Sequence, residues 1–107
     1  MKHSLKIWPQ YYVRVANGTK TFEVRNNDRG FQPGDIVELR EWDPTPVLRQ
    51  EPIATSSGEI FRGGSLSSEP YGFTESPTIT KMVGYVLPLE SGRVVFSLLP
   101  MPQAGEK

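Results

Sequence analysis

The frequency of proline and glycine is the feature that most limits how this chain can fold. Together they occupy 20 of the 107 positions, ten of each. Proline lacks a backbone N–H and glycine weakens helices, so residues at this density interrupt long helical segments. The chain therefore predicts short strands, turns and irregular segments, and it disfavours a helical bundle.

Five short runs have the alternation or the β-forming residues that are typical of strands. They cover residues 4–7, 21–25, 36–42, 78–87 and 93–99. In the second run, Phe22 and Val24 are assigned to the core face. One helix is predicted over residues 9–17, because a proline suits its first turn and Gly18 suits its end. Trp8 is assigned to the core under this helix.

Residues 44–77 interrupt this pattern of strands. Of these 34 residues, five are Pro, four are Gly and six are Ser. Loops of this length are uncommon in compact domains unless they are functional or disordered. We expect a long loop inserted between barrel strands, with a small hairpin around residues 56–58 as an open alternative. The predicted domain spans residues 1–99, and residues 100–107 are predicted to form a flexible tail.

These elements predict a mainly β (α+β) fold with a single short helix. A sheet of so few residues protects its edges best by closing on itself. We therefore expect a small β-barrel with the short N-terminal helix at its mouth and the long loop as an insertion.

The remaining composition argues against several functional classes. The chain has no cysteine and one histidine, so disulfides, thiol chemistry and a histidine metal cage are not expected, and neither is a metal or cofactor. Twelve basic and twelve acidic residues give zero net charge, which disfavours non-specific binding of duplex DNA. Neither a long apolar run nor an apolar signal core is present, so we expect a cytoplasmic protein without a membrane span. We also expect a monomer.

The densest group of polar side chains lies between Lys20 and Arg29. Glu23 and Arg25 are two residues apart and therefore share one face of a strand. On an ideal strand Lys20 would lie on the opposite face, so it joins Glu23 and Arg25 only if the chain turns after Gly18. A lysine beside a glutamate in a partly buried mouth can act as a fixed cation or as a base. Solvated ion pairs at the end of a strand are the simpler alternative.

The spacing Gly18-x-Lys20-x-x-Glu23-x-Arg25 resembles the signature of the ASCH superfamily, a branch of PUA-like β-barrels. The chain is most similar to a bacterial and phage group of unknown function within it. The segments that carry this similarity are residues 3–7, 9–12, 20–25, 27–29, 31–35 and 39–44. The resemblance is dense over residues 3–44, and beyond them it is limited to residues 83–87 and 94–98.

The resemblance implies a PUA-like barrel with a cleft that binds RNA or nucleotide-like ligands between the helix and the strands. One branch of the superfamily hydrolyses the acetyl amide of N4-acetylcytidine with a motif lysine, and Lys20 matches that lysine. Glu23 stands where that branch has a threonine, and the second carboxylate of that branch has no match here. The resemblance thus implies ligand binding by Lys20, Glu23 and Arg25, with Lys20 and Glu23 as the catalytic pair if the protein is an enzyme.

Further residues are candidates for the same ligand site. His3 is a candidate proton carrier, because imidazole titrates near neutral pH. Arg29 is a candidate for gripping a phosphate, or else it pairs with an aspartate to shape its turn. Trp42, Tyr11 and Trp8 are candidates for stacking on a base, and Trp42 is preferred because Trp8 is assigned to the core. Tyr71 and Phe73 are candidates for a lid on the long loop.

Three functions remain open from the sequence. The first is a binding module that holds RNA, a nucleotide or a modified nucleoside in a pocket of Lys20, Glu23 and Arg25. The second is a small amidohydrolase for an N-acylated nucleoside, with Lys20 as base or nucleophile and Glu23 as proton shuttle. The third is a phage or prophage accessory protein that docks on another protein through residues 44–77. A single Lys–Glu pair without a second carboxylate favours the binding module.

Overall fold

The computed structural model describes the backbone of residues 1–54 and 60–102 and the side chains of residues 1–47 and 69–102. Within this part, six strands and one α-helix follow the chain, together with a single 3₁₀ turn at Glu90–Gly92. The elements are β1 (Lys2–Ile7), α1 (Pro9–Ala16), β2 (Phe22–Asn26), β3 (Ile36–Ala54), β4 (Ile60–Phe73), β5 (Ile79–Pro88) and β6 (Arg93–Pro100). The mainly β fold with one short helix is therefore confirmed. The one α-helix found has eight residues, too few to cross a membrane.

The strands form one mixed sheet in the order β1-β3-β5-β6-β2, and β4 extends it by pairing with β3. β1 and β3 are parallel, and the other pairs are antiparallel. β1 and β2 lie at the two ends of this order, yet Arg25 of β2 donates from Nη2 to the Lys6 carbonyl of β1 at 2.7 Å. The sheet therefore curls until its two ends meet, as expected for a barrel-like fold. We call this junction of β1 and β2 the seam.

Apolar side chains from several of these elements fill the inside of the curled sheet. The buried core consists of Leu5, Ile7, Val15, Phe31, Val37, Leu39, Val83, Val94, Phe96 and Leu98. In β1 and β6 they alternate with more exposed residues, which is the period of a strand with one face inside. Val15 is the one buried residue of α1, so the helix covers the core with a narrow face.

The orientation predicted for β2 is wrong. Phe22 and Val24 remain 47% and 42% exposed, whereas Glu23 is only 4% exposed. The cause is the register with β6, which places Glu23 opposite the buried Phe96. Residues directly opposite in neighbouring strands share a face, so the core residues of β6 draw the polar face of β2 inward. Alternation shows which residues share a face, but not which face lies inside.

Trp8 was also predicted to lie in the core, and it is 46% exposed instead. In β1 the odd-numbered residues from His3 to Ile7 are buried and the even-numbered residues are exposed. Trp8 continues this alternation on the exposed side, because its backbone is still extended just before α1 begins. Its position therefore follows the period of the strand rather than that of the helix.

The long loop predicted for residues 44–77 is replaced by an extended hairpin of β3 and β4. β3 continues to Ala54, and the register of Ile53 with Phe61 confirms the small hairpin that was the alternative. The pairing is irregular between Asp43 and Pro46 and again between Glu51 and Ile53, where prolines interrupt the strand. Prolines are tolerated in strands at edges and bulges, which explains how this composition still forms strands.

The connection between the hairpin and β5 is held by side chains. Glu41 accepts hydrogen bonds from the hydroxyls of Thr74 and Ser76, each at 2.7 Å. Residues 55–59, at the tip of the predicted loop, and residues 103–107, in the predicted tail, lie outside the described residues. The division into a domain and a flexible tail stays a prediction, although β6 includes Pro100.

Candidate functional site

The chain turns sharply where α1 meets β2, and this turn positions Lys20. Gly18 adopts a φ of +82°, a left-handed conformation that glycine accepts without strain. The backbone N–H of Lys20 then donates back to the Arg14 carbonyl at 3.0 Å. The turn after Gly18 that the sequence analysis required is therefore present, and it brings Lys20 to the side of Glu23 and Arg25.

Glu23 is a buried carboxylate held by two cations. Lys20 Nζ donates to Glu23 Oε1 and also to the Phe22 carbonyl, while Arg25 Nε donates to Glu23 Oε2 at 2.9 Å. A buried carboxylate is costly unless it is paired and hydrogen-bonded, and both of its oxygens are satisfied here. The three side chains form a rigid group, which we call the triad, with a net charge of +1.

A cavity of about 550 Å³ opens beside the triad. Trp8, Tyr11 and Phe22 form aromatic walls around it, and we call it the aromatic cavity. It is lined by Lys6, Ile7, Trp8, Tyr11, Lys20, Phe22, Glu23, Val24, Arg25 and Arg93. The rings of Trp8 and Tyr11 are nearly parallel, at 19°, with centroids 6.3 Å apart. The cavity therefore combines flat apolar surfaces with one buried acceptor and several donors.

The sequence assigned Lys20, Glu23 and Arg25 to the ligand site, and the structure gathers all three at the aromatic cavity. It named Tyr11 as a stacking candidate, but it assigned Trp8 and Phe22 to the core and so missed two of the three aromatic walls. The continued alternation of β1 into Trp8 was the available signal for the first of these residues. Arg93 comes from the start of β6, and no local pattern in the sequence connects it to the triad.

His3 does not reach the aromatic cavity. Its side chain is buried, its ring is tilted by 58° against the Phe31 ring at a centroid distance of 4.8 Å, and its Nε2 donates to Asp35 at 2.9 Å. The hydrogen bond from His3 is the main reason that the pKa of Asp35 is lowered, and the Gln32 N–H adds to it. Because this pair ties β1 to the start of β3, it stabilises the fold rather than contacting the triad.

Neither Arg29 nor Trp42 lines the aromatic cavity. Arg29 donates from Nη1 to the Ser4 carbonyl at 2.9 Å, and it forms no ion pair with a described aspartate. A second cavity of about 360 Å³ is lined by Ser4, Leu5, Lys6, Arg25, Arg29 and Phe73, and we call it the basic cavity. Trp42 lies against Lys6, with Nζ 4.6 Å from its ring centroid.

The two candidates for a lid end up in different surroundings. Phe73 lines the basic cavity, and the Arg40 guanidinium lies 3.8 Å from its ring centroid. Tyr71 is exposed at the end of β4 and lines neither cavity. Among the residues whose side chains are described, no three His, Asp or Glu side chains lie together as metal ligands would.

Comparison with known protein families identifies a match. The family model described as Domain of unknown function (DUF3850) matches residues 2–97 of this chain. A search of curated proteins found no match. The family model thus covers most of the chain, including both cavities and the triad.

Proposed function

Because this chain belongs to the family described as Domain of unknown function (DUF3850), we propose a function from the aromatic cavity itself. The protein is a binding module that holds a nucleotide, a modified nucleoside or an RNA segment between α1 and the sheet. The observation that carries this proposal is a buried, doubly paired carboxylate beside three aromatic side chains in a cavity of about 550 Å³. The volume lies within the range of roughly 300–1,000 Å³ that is usual for small-molecule sites.

The chemistry of the cavity suits a nucleobase. Each Glu23 oxygen accepts one hydrogen bond from the triad and keeps a further lone pair, so it can accept an amino group of a base. Trp8, Tyr11 and Phe22 offer faces on which a base can stack. Of the three stacking candidates in the sequence, Trp8 and Tyr11 line the aromatic cavity, whereas the preferred candidate, Trp42, does not. The resemblance to ASCH proteins supports the same class of ligand.

Lys20 and Arg25 also contribute to the site through Glu23. Both cations already contact Glu23, so they satisfy one acceptor site on each of its oxygens and orient the carboxylate for a ligand. The zero net charge of the chain suits a small ligand or a short segment, rather than a long nucleic acid. The module therefore recognises its ligand by local contacts.

The test is an NMR titration of the labelled protein with cytidine, N4-acetylcytidine, cytidine 5′-monophosphate and a short single-stranded RNA. At least one of them should shift the amide resonances of Trp8, Lys20 and Phe22. Glu23→Gln should weaken that binding about tenfold or more, because it removes the charged acceptor. Glu38→Gln is the matched control, since Glu38 pairs with Lys2 and lines neither cavity.

If none of the four ligands moves these resonances, the nucleotide proposal is wrong. The interaction with a protein partner, which the sequence left open for residues 44–77, would then be the next proposal to test. A pull-down from host lysate, compared with a variant that shortens the β3–β4 hairpin, would address it.

Hydrolysis of an N-acylated nucleoside is the second candidate, and the direct contact of Lys20 with Glu23 favours it. In this reaction water adds to the acetyl carbonyl and the C–N bond breaks, releasing acetate and the nucleoside. Two features favour binding over hydrolysis. Glu23 is the single carboxylate that lines the cavity among the described residues, and Lys20 Nζ already donates to two acceptors.

The same NMR samples distinguish the two candidates over several hours. Signals of acetate and cytidine growing from N4-acetylcytidine, and absent with Lys20→Met, would establish the hydrolase. Resonance shifts without product would support the binding module. Lys2→Met is the matched control, because Lys2 is exposed on β1 and lines neither cavity.

A further inference from the structure

We propose that the basic cavity is a phosphate subsite, so that the ligand is a nucleotide or an RNA segment rather than a free nucleoside. The part of this proposal that places a base in the aromatic cavity rests on the proposed function. The part that places a phosphate in the basic cavity rests on separate observations at Lys6 and Arg29, neither of which belongs to the triad.

Lys6 is held in place at the basic cavity. It is an outward-facing residue of β1, and its Nζ lies 4.6 Å from the Trp42 ring centroid and 5.8 Å from that of Phe73. Cation–π contacts of this kind orient an ammonium without neutralising its charge. These rings therefore hold the Lys6 ammonium at a defined position beside the cavity and supply no counter-charge.

Arg29 also lines the basic cavity, and the backbone of β1 holds it in place. Its Nη1 donates to the Ser4 carbonyl at 2.9 Å, next to the point at which Arg25 donates to the Lys6 carbonyl. A guanidinium has five N–H donors in a planar fork, so this single hydrogen bond leaves donors for a ligand. The carbonyl contact orients the fork and, like the aromatic rings around Lys6, supplies no negative charge.

The charge of the basic cavity is uncompensated within the described part of the chain. Arg25 is paired with Glu23, but Lys6 and Arg29 form no ion pair with any described carboxylate. Asp28 lines a smaller neighbouring cavity together with Arg29, and the two form no ion pair. Two adjacent free cations in a chain of zero net charge point to an anion as the missing partner.

Phosphate matches this pair of donors best among common anions. Guanidinium groups bind phosphate oxygens through paired N–H donors, and lysine contributes a point charge to the same group. The basic cavity also shares Lys6 and Arg25 with the aromatic cavity, so one ligand can span both. A base in the aromatic cavity and its phosphate in the basic cavity satisfy both sites with a single nucleotide.

The test compares ligands that differ by one phosphate. By titration calorimetry, the protein should bind cytidine 5′-monophosphate about tenfold or more tightly than cytidine. The variant Lys6→Met/Arg29→Gln should reduce this advantage to about twofold or less. Arg29→Gln alone should lower the advantage in part and leave the affinity for cytidine unchanged, since Arg29 does not line the aromatic cavity. Lys2→Met/Arg14→Gln is the matched control, since both residues are exposed and line neither cavity.

Two further ligands identify the source of the phosphate. The dinucleotide CpC carries a phosphodiester, so tighter binding of CpC than of the monophosphate would indicate an RNA segment. Tighter binding of the monophosphate would indicate a free nucleotide. Arg29→Lys retains the charge with fewer donors, and it should lose part of the advantage without a change in thermal unfolding.

The outcomes separate this inference from the proposed function. Equal affinity for cytidine and its monophosphate would overturn the phosphate subsite and leave the base site standing. If cytidine and its phosphates fail to bind, inorganic pyrophosphate becomes the probe. Shifts at Lys6 and Phe73 that disappear in the double variant would then support the anion subsite while the nucleotide function fails. Pyrophosphate without effect would overturn the subsite as well.

Discussion

Replacing Arg25 by methionine tests the central claim about the triad, which is that Glu23 can be buried only because two cations hold it. Arg25 donates to Glu23 Oε2 at 2.9 Å and to the Lys6 carbonyl across the seam at 2.7 Å. Methionine keeps most of the unbranched stem and removes the guanidinium. The change therefore removes two donors with little loss of packing.

The expected cost follows from how deeply each partner is buried. Removing one partner of a fully buried ion pair costs about 3–5 kcal/mol. The Glu23 side chain is 5% exposed, but that of Arg25 is 24% exposed, and Lys20 remains in contact with the carboxylate. We therefore expect roughly half of the full cost, about 2 kcal/mol. The bond to the Lys6 carbonyl adds little because water can replace it.

Urea unfolding followed by far-ultraviolet circular dichroism measures this loss. The midpoint should fall while the slope stays constant, because the variant exposes the same surface on unfolding. In a thermal scan, a loss of about 2 kcal/mol corresponds to a decrease in Tm of about 10 °C for a domain of this size. Arg14→Met, on the exposed side of α1, is the control and should stay within about 0.5 kcal/mol of the parent.

One result would refute this reasoning. If Arg25→Met unfolds within about 0.5 kcal/mol of the parent chain, Glu23 does not depend on its second cation. Arg25→Lys is an intermediate variant. Its ammonium can reach either the Glu23 carboxylate or the Lys6 carbonyl across the seam, but it cannot reproduce both hydrogen bonds of the guanidinium. Its stability should lie between those of the methionine variant and the parent.

The other predictions concern the fold and the aromatic cavity. In Asp35→Asn, the carboxylate whose pKa is lowered by His3 is lost. The stabilising effect of this carboxylate is present above its ordinary pKa of 3.8 and disappears as pH falls through the lowered value. The urea midpoints of the parent and the variant should therefore converge in acid. Parallel pH profiles of the two midpoints would contradict this. Gly84→Ala places a Cβ 2.4 Å from Ser97 Oγ, so it should cost about 1–3 kcal/mol, and Ser97→Ala should recover part of the loss. Trp8→Ala should weaken nucleotide binding about tenfold with little loss of stability, and a large loss of stability would instead place Trp8 among the core residues.

Much of the fold follows from local patterns in the sequence. Alternation and β-forming residues located strands near their observed positions, and a proline followed by Gly18 nine residues later marked the ends of α1. The position of Lys20 could be predicted only conditionally. The strand period places Lys20 on the face opposite Glu23 and Arg25, whereas a turn after Gly18 allows it to join them. The left-handed φ of Gly18 meets that condition. These successes depend on backbone chemistry that acts over a few residues.

The failures depend on partners that are distant in sequence. The inward face of β2 is set by its register with β6, about 70 residues later, so Glu23 is buried opposite Phe96. The hairpin of β3 and β4 tolerates prolines because β4 is an edge strand with irregular pairing. The local pattern assigns such a segment to a loop, because proline and glycine are depleted in most strands.

The triad belongs both to the seam and to the candidate site. Arg25 uses one nitrogen to orient Glu23 and another to hold the free edge of β1, so closing the sheet also builds the base site. Variants of Arg25 therefore change stability and binding together and cannot separate the two. Lys6 and Trp8 are exposed residues of the cavity walls, outside the triad. Binding losses at these two positions without a loss of stability would identify the cavities as ligand sites rather than by-products of how the sheet closes.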